Sequence, residues 1–351
     1  MSKLKYLTVL SLPIAAYLSF TGKGWITYLP LIISFVAIPT LELFFKPNEE
    51  NLTKTEEELR KKNRIYDWQV YLMVPIQLAT LYFFLQSIGE AGLSIGDKIG
   101  RITGMGMMCG VIGINVAHEL GHRSKKYEQA MAKILLMTSL YMHFFIEHNR
   151  GHHKNVSTKE DPSSARFGES LYSFWLRSTF FSYISAWKLE SKRLKKKGKS
   201  AFSFSNEMLQ FQIIQIALVT LIGFFFGIEV MLYFIAAATM GFLLLETVNY
   251  IEHYGLSREK KGEKYERVMP RHSWNSNHIV GRLFLFELSR HSDHHFIASR
   301  KYQILRYIED SPQMPTGYPG MMLLSTIPPL WFLIMNPKIK KIEASEVSLA
   351  A

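Results

Sequence analysis

Nine of the twelve histidines lie in four short segments, at spacings that are typical of metal ligands. His291, His294 and His295 are related by i, i+3 and i+4, so a helical turn presents all three imidazoles on one face. The other segments are 118–122, 147–153 and 249–254, and they contribute His118, His122, His148, His152, His153 and His253. A zinc site takes about four ligands, so nine neutral nitrogens are sufficient for two ions. We predict that these nine histidines form a two-metal site.

The spacing in segment 147–153 (EHNRGHH) does not decide which of its histidines share one face of a helix. His148 and His152 are four residues apart, but His153 is turned about 100° from His152 on a regular helix. Either the helix ends near Gly151, or His153 reaches the second metal ion.

Composition limits the metal chemistry. Cys109 is the single cysteine, which excludes a multi-cysteine zinc site or iron–sulfur site. A histidine site without thiolates suits iron, zinc or copper, and spacing alone does not choose among them.

Acidic residues stand beside several of these histidines in the sequence. A ligating histidine usually donates its second N–H to a carboxylate or a carbonyl, which determines the tautomer. The candidates for this supporting role are Glu119, Glu147, Glu252 and Asp293. We interpret the isolated histidines as ordinary or supporting residues: His143, His272 and His278.

The segment HELGH at 118–122 also has a different interpretation. It matches the pattern H-E-x-x-H of zinc proteases, in which Glu119 would activate water. A protease with one zinc needs a single further ligand and leaves most of the other histidines unexplained. A non-catalytic metal-binding membrane protein is a third class of function.

Six apolar segments predict the elements that position the histidines. A membrane-crossing helix needs roughly 17–25 residues, and the apolar cores lie at 6–20, 26–45, 71–88, 102–117, 211–226 and 230–247. We predict an all-α integral membrane protein with six transmembrane helices and a cytoplasmic histidine-rich two-metal site. Residues 1–351 form a single membrane-embedded domain, with cytoplasmic histidine-bearing segments at 118–207 and 253–310.

Charge in the loops predicts the orientation. The net charge is +12, and basic residues cluster in loops 46–64 and 192–199, whereas loops 21–24 and 89–100 carry only Lys23 and Lys98. Because cytoplasmic loops are enriched in Lys and Arg, we predict a multi-pass protein of the bacterial inner membrane, with both termini and the metal site in the cytoplasm. This pattern fits attraction to an anionic membrane face and not a nucleic-acid partner.

Two further apolar stretches do not fit as crossings. A crossing at 130–145 would carry His148 to the face opposite His122, and Lys133 stands near its start. We predict a helix folded back into the membrane or packed along its surface. The stretch 320–335 contains Pro328 and Pro329, which interrupt a helix, so it is predicted to form a re-entrant or interfacial hairpin.

The histidine motifs resemble those of the membrane alkane 1-monooxygenases, within the wider group of membrane fatty acid desaturases and hydroxylases. The motifs are HELGHR, EHNRGHH, NYIEHYGL and RHSDHH, and NYIEHYGL and the run 302–337 are the more specific to the alkane hydroxylase branch. The resemblance covers residues 102–337. The chain departs from that family's usual pattern at Ser289, where glutamine is usual, and near Gly281 and Arg282, where Thr-Asn is usual, which concerns substrate preference more than the reaction.

The resemblance implies two iron ions, a di-iron centre that activates O2. It implies insertion of one oxygen atom into the terminal methyl group of a medium-chain alkane, to give a 1-alkanol. The implied electron donor is rubredoxin, reduced by rubredoxin reductase, and the basic loops offer it an electrostatic docking site. A xylene-type methyl hydroxylase and an acyl desaturase on the same scaffold are the alternatives.

Alkanes dissolve in the lipid bilayer, so we expect a channel between the apolar spans to deliver them methyl-first. A bulky side chain would then close the channel and limit chain length. The candidates for this side chain are Phe35, Phe44, Tyr82 and Phe83.

Overall fold

The computed structural model describes residues 3–350, and the side chains of residues 3–344. Helices dominate this part of the chain. After a 3₁₀ turn at Lys5–Leu10, the first half contains α1 (Ser11–Thr21), α2 (Gly24–Glu42), α3 (Lys54–Lys62), α4 (Ile65–Ile88), α5 (Ile95–Gly121) and α6 (Lys126–Met137).

The second half begins with α7, a helical segment over 144–155 that contains a π-helical turn at His148–His152. The helices that follow are α8 (Leu171–Lys196), α9 (Glu207–Phe226), α10 (Ile228–His253), α11 (Ile279–Phe284), α12 (His291–Phe296), α13 (Tyr318–Ser325) and α14 (Pro328–Ala350). Strands β1 (Lys260–Lys261) and β2 (Lys264–Tyr265) form an antiparallel ribbon, and short 3₁₀ turns lie at Pro270–His272 and Tyr302–Ile304.

Within residues 3–350, five helices are long and apolar enough to cross a membrane, namely α2, α4, α5, α9 and α10. They coincide with five of the predicted apolar cores. The remaining core, 6–20, lies in the helical stretch formed by the first 3₁₀ turn and α1. That stretch rises roughly 28 Å, at about 2.0 Å per 3₁₀ residue and 1.5 Å per α residue, close to the thickness of the hydrocarbon core. The chain is an all-α integral membrane protein, as predicted.

Neither of the two apolar stretches that were not predicted to cross forms a single straight helix. Helix α6 ends at Met137, and the chain turns through Leu140, whose φ is 50°, so 130–145 is not one helix. Helices α13 and α14 meet at an angle of 120° around Pro328, which agrees with the predicted hairpin.

Close packing of α5 against α10 explains how their ends meet. A Cβ atom on Gly241 of α10 would overlap the Cβ of Cys109 in α5, and one on Gly110 would lie 3.1 Å from Leu244 Cδ1. Small residues at such positions let two membrane helices approach closely. Since α5 leads to His118 and α10 ends at His253, this packing brings two histidine segments together.

Helix α8 lies in a region that the sequence analysis treated as a loop. Its inner face contacts buried carboxylates, because Ser178 Oγ donates to Glu246 Oε2 at 2.5 Å and Ser185 Oγ donates to Glu147 Oε1 at 3.4 Å. Its outer face exposes Leu176 and Phe180. This helix therefore packs over the α7 segment that carries His148, His152 and His153.

Candidate metal centre

The structure brings all nine predicted histidines together, and it divides them into two groups. Within each group the candidate ligand nitrogens lie within 4.8 Å of one another. The five-histidine group contains His118, His122, His148, His153 and His294, and the four-histidine group contains His152, His253, His291 and His295. Each group has enough ligands for one metal ion.

The π-helical turn at His148–His152 determines how α7 shares its ligands. A π turn makes i to i+5 hydrogen bonds, so His148 and His153, five residues apart, point to the same group. His152 points to the other group. His152 and His153 therefore do reach different groups, but it is His153 that joins His148, and the helix does not end at Gly151.

Helix α12 also divides its ligands. His291 and His295, four residues apart, face the four-histidine group, while His294 faces the five-histidine group. One short helix therefore lies between the two groups and contributes to both.

The spacing of the nitrogens fits two bound metal ions. Five pairs of Nε2 atoms within the groups lie 3.0–3.2 Å apart: His122–His148, His148–His153, His153–His294, His152–His295 and His253–His291. Two nitrogens at about 2.1 Å from one ion, with an angle near 90° between them, are roughly 3.0 Å apart. In addition, His118 Nε2 is buried and has no hydrogen-bond partner among the described residues.

Burial keeps His122, His294 and His295, which lie outside the spans, in the neutral form that binds metals. Desolvation lowers the pKa of His122 to about 3. Desolvation, with the neighbouring histidines, also lowers the pKa of His294 and of His295 well below the ordinary 6.5. The imidazole lone pairs are therefore available to a metal ion at neutral pH.

Asp161 supports the four-histidine group from a loop that the sequence analysis did not identify. Its Oδ2 lies 2.8 Å from His152 Nδ1 and accepts a hydrogen bond from Ser164 Oγ at 2.6 Å. With the Nδ1–H donated to this carboxylate, the Nε2 lone pair of His152 is left for the metal. Asp161 follows His152 by nine residues, and its only signal in the sequence is the turn-forming run Asp-Pro-Ser-Ser.

Glu252 is the one acidic neighbour of the histidines that contacts a ligand nitrogen. Its Oε2 lies 3.1 Å from His291 Nε2, and its Oε1 accepts a hydrogen bond from Tyr318 Oη at 2.8 Å. The contact is with Nε2 of His291, the nitrogen that also faces His253. The carboxylate of Glu252 therefore lies on the side where a metal ion would bind, and it does not accept a hydrogen bond from Nδ1 on the other side of the ring.

The other three acidic neighbours have different partners. Glu119 pairs with Arg123 at 3.0 Å, and Asp293 pairs with Arg300 at 2.9 Å. The carboxylate of Glu147 lies over Gly151, where a Cβ atom would be 2.5 Å from Oε1. Among the residues that the structure describes, none of these three carboxylates has a hydrogen bond to one of the nine histidines.

The three isolated histidines lie outside both groups. His143 packs between the rings of Tyr141 and Tyr183, at centroid distances of 4.2 and 5.4 Å. His272 Nε2 contacts Glu266 at 3.0 Å, and His278 Nδ1 contacts Ser276 at 3.0 Å. These contacts agree with the interpretation of these histidines as non-ligands.

An apolar cavity reaches both histidine groups. His118 and His148 of one group and His291 of the other are among the residues that line it. The remaining walls come from α2, α5, α10, α11 and α13, and include Ser34, Phe35, Ile38, Met107, Val111, Ile114, Leu244, Val248, Phe284, Leu285, Pro319 and Met322. Of the four aromatic residues expected to close a channel, Phe35 lines the cavity. Phe44, Tyr82 and Phe83 lie on the outer surface, 79%, 54% and 46% exposed.

Membrane helices, two histidine groups and an apolar cavity between them define a membrane metalloenzyme, and comparison with known proteins agrees. The sequence profile of the fatty acid desaturase family matches residues 100–325. Alkane 1-monooxygenase 1 of Pseudomonas aeruginosa is 43% identical over 330 residues, which cover 90% of this chain and 84% of the relative.

Two further relatives are informative. Alkane 1-monooxygenase of Pseudomonas putida is 40% identical over 91% of this chain and 79% of its own length. The hydroxylase component of xylene/toluene monooxygenase from Pseudomonas putida is 29% identical over 78% of this chain and 74% of its own length. The chain belongs to the alkane 1-monooxygenase family, within the broader fatty acid desaturase family, and it is a membrane enzyme.

Proposed function

We propose that this enzyme hydroxylates the terminal methyl group of medium-chain alkanes, giving 1-alkanols. One atom of O2 enters the C–H bond. The other atom takes up two protons, together with two electrons that rubredoxin supplies, and leaves as water. The observation that carries the proposal is the apolar cavity whose lining includes histidines of both groups. The relatives named alkane 1-monooxygenase support the choice of substrate.

The nine histidines would hold two iron ions, one per group. Iron in these groups would supply the binding and reduction of O2. Histidine ligands without thiolates suit iron, and the close Nε2 pairs and the neutral imidazoles described above fit such a centre.

The walls of the cavity bind and orient the alkane. Phe35, Ile38, Leu244 and Val248 give the chain an apolar surface to pack against, and because the alkane arrives from the lipid, this packing orients the chain and does not remove it from water. A straight chain in this cavity presents its terminal methyl to the histidines, and the same walls exclude water from the reacting carbon.

Electrons would enter on the side of the four-histidine group. Lys159, Arg166 and Lys260 are exposed around the loop that contains Asp161, and Asp161 contacts His152 at 2.8 Å. We call Lys159, Arg166 and Lys260 the basic rim. Its charge would attract an acidic donor such as rubredoxin. With the metal site at the cytoplasmic face of the bacterial inner membrane and both termini on that side, the donor reaches the rim directly.

The geometry argues against the zinc protease. In that mechanism Glu119 would activate a metal-bound water, but here its carboxylate is held by Arg123 at 3.0 Å. The xylene-type methyl hydroxylase remains the second candidate, because the xylene/toluene relative aligns with 78% of this chain. An acyl desaturase is the other alternative, and its desaturated product distinguishes it from a hydroxylase.

The decisive experiment uses purified, iron-loaded protein with rubredoxin, rubredoxin reductase and NADH. Octane, xylene and an acyl chain are supplied separately, and the products are identified by gas chromatography–mass spectrometry. We expect two irons per chain and 1-octanol as the preferred product. Preference for a benzylic alcohol or for a desaturated chain would refute the alkane proposal, and one zinc with peptide cleavage would refute the oxygenase.

A charge reversal tests the docking of the donor. Lys159→Glu with Lys260→Glu should raise the KM for rubredoxin several-fold and leave alkane binding unchanged, because the basic rim lies outside the cavity. The comparison pair is Lys195→Glu with Lys196→Glu, which reverses two exposed charges in the basic segment 192–199, the alternative docking site for the donor. Equal effects of the two pairs would mean that the basic rim does not bind the donor.

A further inference from the structure

Glu42 is the last residue of α2, and it is buried with 5% of its surface exposed. Its Oε1 accepts the backbone N–H of Gly281 in α11 at 2.8 Å. Its Oε2 lies against Gly317, the residue before α13. One carboxylate therefore joins the end of a membrane span to two segments that are more than 230 residues away in sequence.

Two glycines make room for this carboxylate. A Cβ atom at Gly281 would lie 2.9 Å from Oε1, and one at Gly317 would overlap Oε2. The backbone does not require glycine at 317, because its φ of −67° and ψ of 166° are accessible to any residue. The space taken by Glu42 is the reason for glycine there.

The three segments that meet at Glu42 are three walls of the apolar cavity. Helix α2 lines it with Phe35 and with Ile38, which stands four residues before Glu42 on the same side of the helix. The other two walls contribute Gly281, Phe284 and Leu285, and Tyr318 and Pro319. The distance between these walls determines the width of the cavity.

We propose that Glu42 is a positioning residue that holds these three walls at a fixed separation, and thereby selects hydrocarbons of narrow cross-section. Glu42 itself does not line the cavity, so it acts through the segments that it joins. The proposal rests on the proposed function only for the identity of the ligand, a hydrocarbon. It predicts selection by width, which is separate from any limit on chain length.

The test measures binding without turnover. Equilibrium binding of radiolabelled n-octane and cyclooctane is measured on iron-loaded protein in the absence of a reductant, together with iron content and thermal unfolding temperature. Glu42→Asp shortens the side chain and removes the bond to Gly281. We expect the ratio of cyclooctane to n-octane affinity to rise about tenfold, equivalent to about 1.4 kcal/mol, with two irons retained.

Companion variants separate positioning from a general loss of structure. Glu42→Gln keeps the length and an acceptor oxygen, so the binding ratio should remain near that of the wild type. Gly281→Ala pushes the carboxylate away and should also raise the ratio. In the double variant Glu42→Asp with Gly281→Ala, the change in the binding free-energy difference should be smaller than the sum of the two single changes, because the shorter side chain makes room for the methyl group.

Two control substitutions lie outside this junction. Glu49→Asp changes an exposed carboxylate, and Gly96→Ala adds a methyl whose nearest contact is an ordinary 3.6 Å. An unchanged ratio in Glu42→Asp, or strict additivity in the double variant, would overturn the proposal. If the wild type binds octane but forms no alcohol, the proposed function fails while the binding ratios still decide the role of Glu42.

Discussion

The Nδ1 atom of His152 lies 2.8 Å from a carboxylate oxygen of Asp161, and this contact determines which ring nitrogen faces the four-histidine group. Asp161 is itself held by Ser163 N at 3.1 Å and Ser164 Oγ at 2.6 Å. These two hydrogen bonds therefore orient the carboxylate of Asp161 towards His152. Gly281 is another residue explained by a single contact, since it leaves room for the carboxylate of Glu42.

Asp161→Asn should weaken metal binding in the four-histidine group. The amide is a poorer acceptor for the His152 N–H, and loss of such a partner typically reduces metal affinity about 10–100-fold. Iron content after dialysis against a chelator should fall towards one ion per chain. The control is Glu160→Gln, which changes the exposed neighbour, and equal iron retention in both variants would contradict the assignment.

We expect His143 to contribute to a loss of stability in acid. Burial lowers its pKa from 6.5 to about 3. Between these values the unfolded chain binds a proton that the folded chain does not, so stability falls as pH falls, by about 1.4 kcal/mol per pH unit. We expect His143→Gln to lose less stability than the wild type when the pH is lowered from 6.5 towards 4. Thermal unfolding of the detergent-solubilised protein measures this, and parallel pH profiles would contradict it.

At the scale of elements, helix geometry decides which of the two groups each histidine joins. The π turn of α7 sends His148 and His153 to one group and His152 to the other, and α12 divides its three histidines in the same way. The close packing of α5 against α10 brings together the histidines at the ends of these two spans, where they join the histidines of α7 and α12. Because this approach has no spare room at Gly241, the metal centre depends on a contact within the membrane.

Gly241→Ala should therefore force α5 and α10 apart. Overpacking of this kind typically destabilises a protein by about 1–3 kcal/mol, and it would displace His118 relative to His253. We expect a lower unfolding temperature and reduced iron content, both partly restored by adding Cys109→Gly, which removes the opposing Cβ. Gly223→Ala is the control, since its methyl would meet the flexible Met231 at 3.0 Å. A normal iron content in Gly241→Ala would show that the helices adjust.

At the scale of the whole molecule, all nine histidines meet in one centre although α5 and α10 are separated by more than 100 residues. This arrangement requires the ends of α5 and α10 to lie at the same side of the bundle. From the basic residues in segments 46–64 and 192–199 we predict that this side faces the cytoplasm.

Cysteine labelling tests the orientation. Single cysteines at Glu50 and Lys197 should react with a membrane-impermeant maleimide only when the cytoplasmic face is accessible, and a cysteine at Ala91 should react in intact cells. The native Cys109 is buried and should not interfere. Labelling of Glu50→Cys and Ala91→Cys from the same face would overturn the orientation.

The sequence alone determined the class of fold and identified the nine candidate ligands. Spans are visible because a lipid environment demands long apolar helices, and the nine histidines are visible because helical spacing places ligands on one face. These signals are local, so α2, α4, α5, α9 and α10 lie where their apolar cores predicted.

Only the tertiary structure decided how the ligands are shared and what supports them. A regular helix cannot place His148 and His153 together, and the π turn that does so is not encoded in a simple periodicity. Asp161 and Glu42 act across contacts that the fold creates, at 2.8 Å from His152 and from the Gly281 N–H respectively. Of the acidic residues adjacent to histidines, Glu119 and Asp293 turned to arginines instead. The direction of these side chains is set by packing against distant segments, so adjacency in the sequence does not predict which residues they contact.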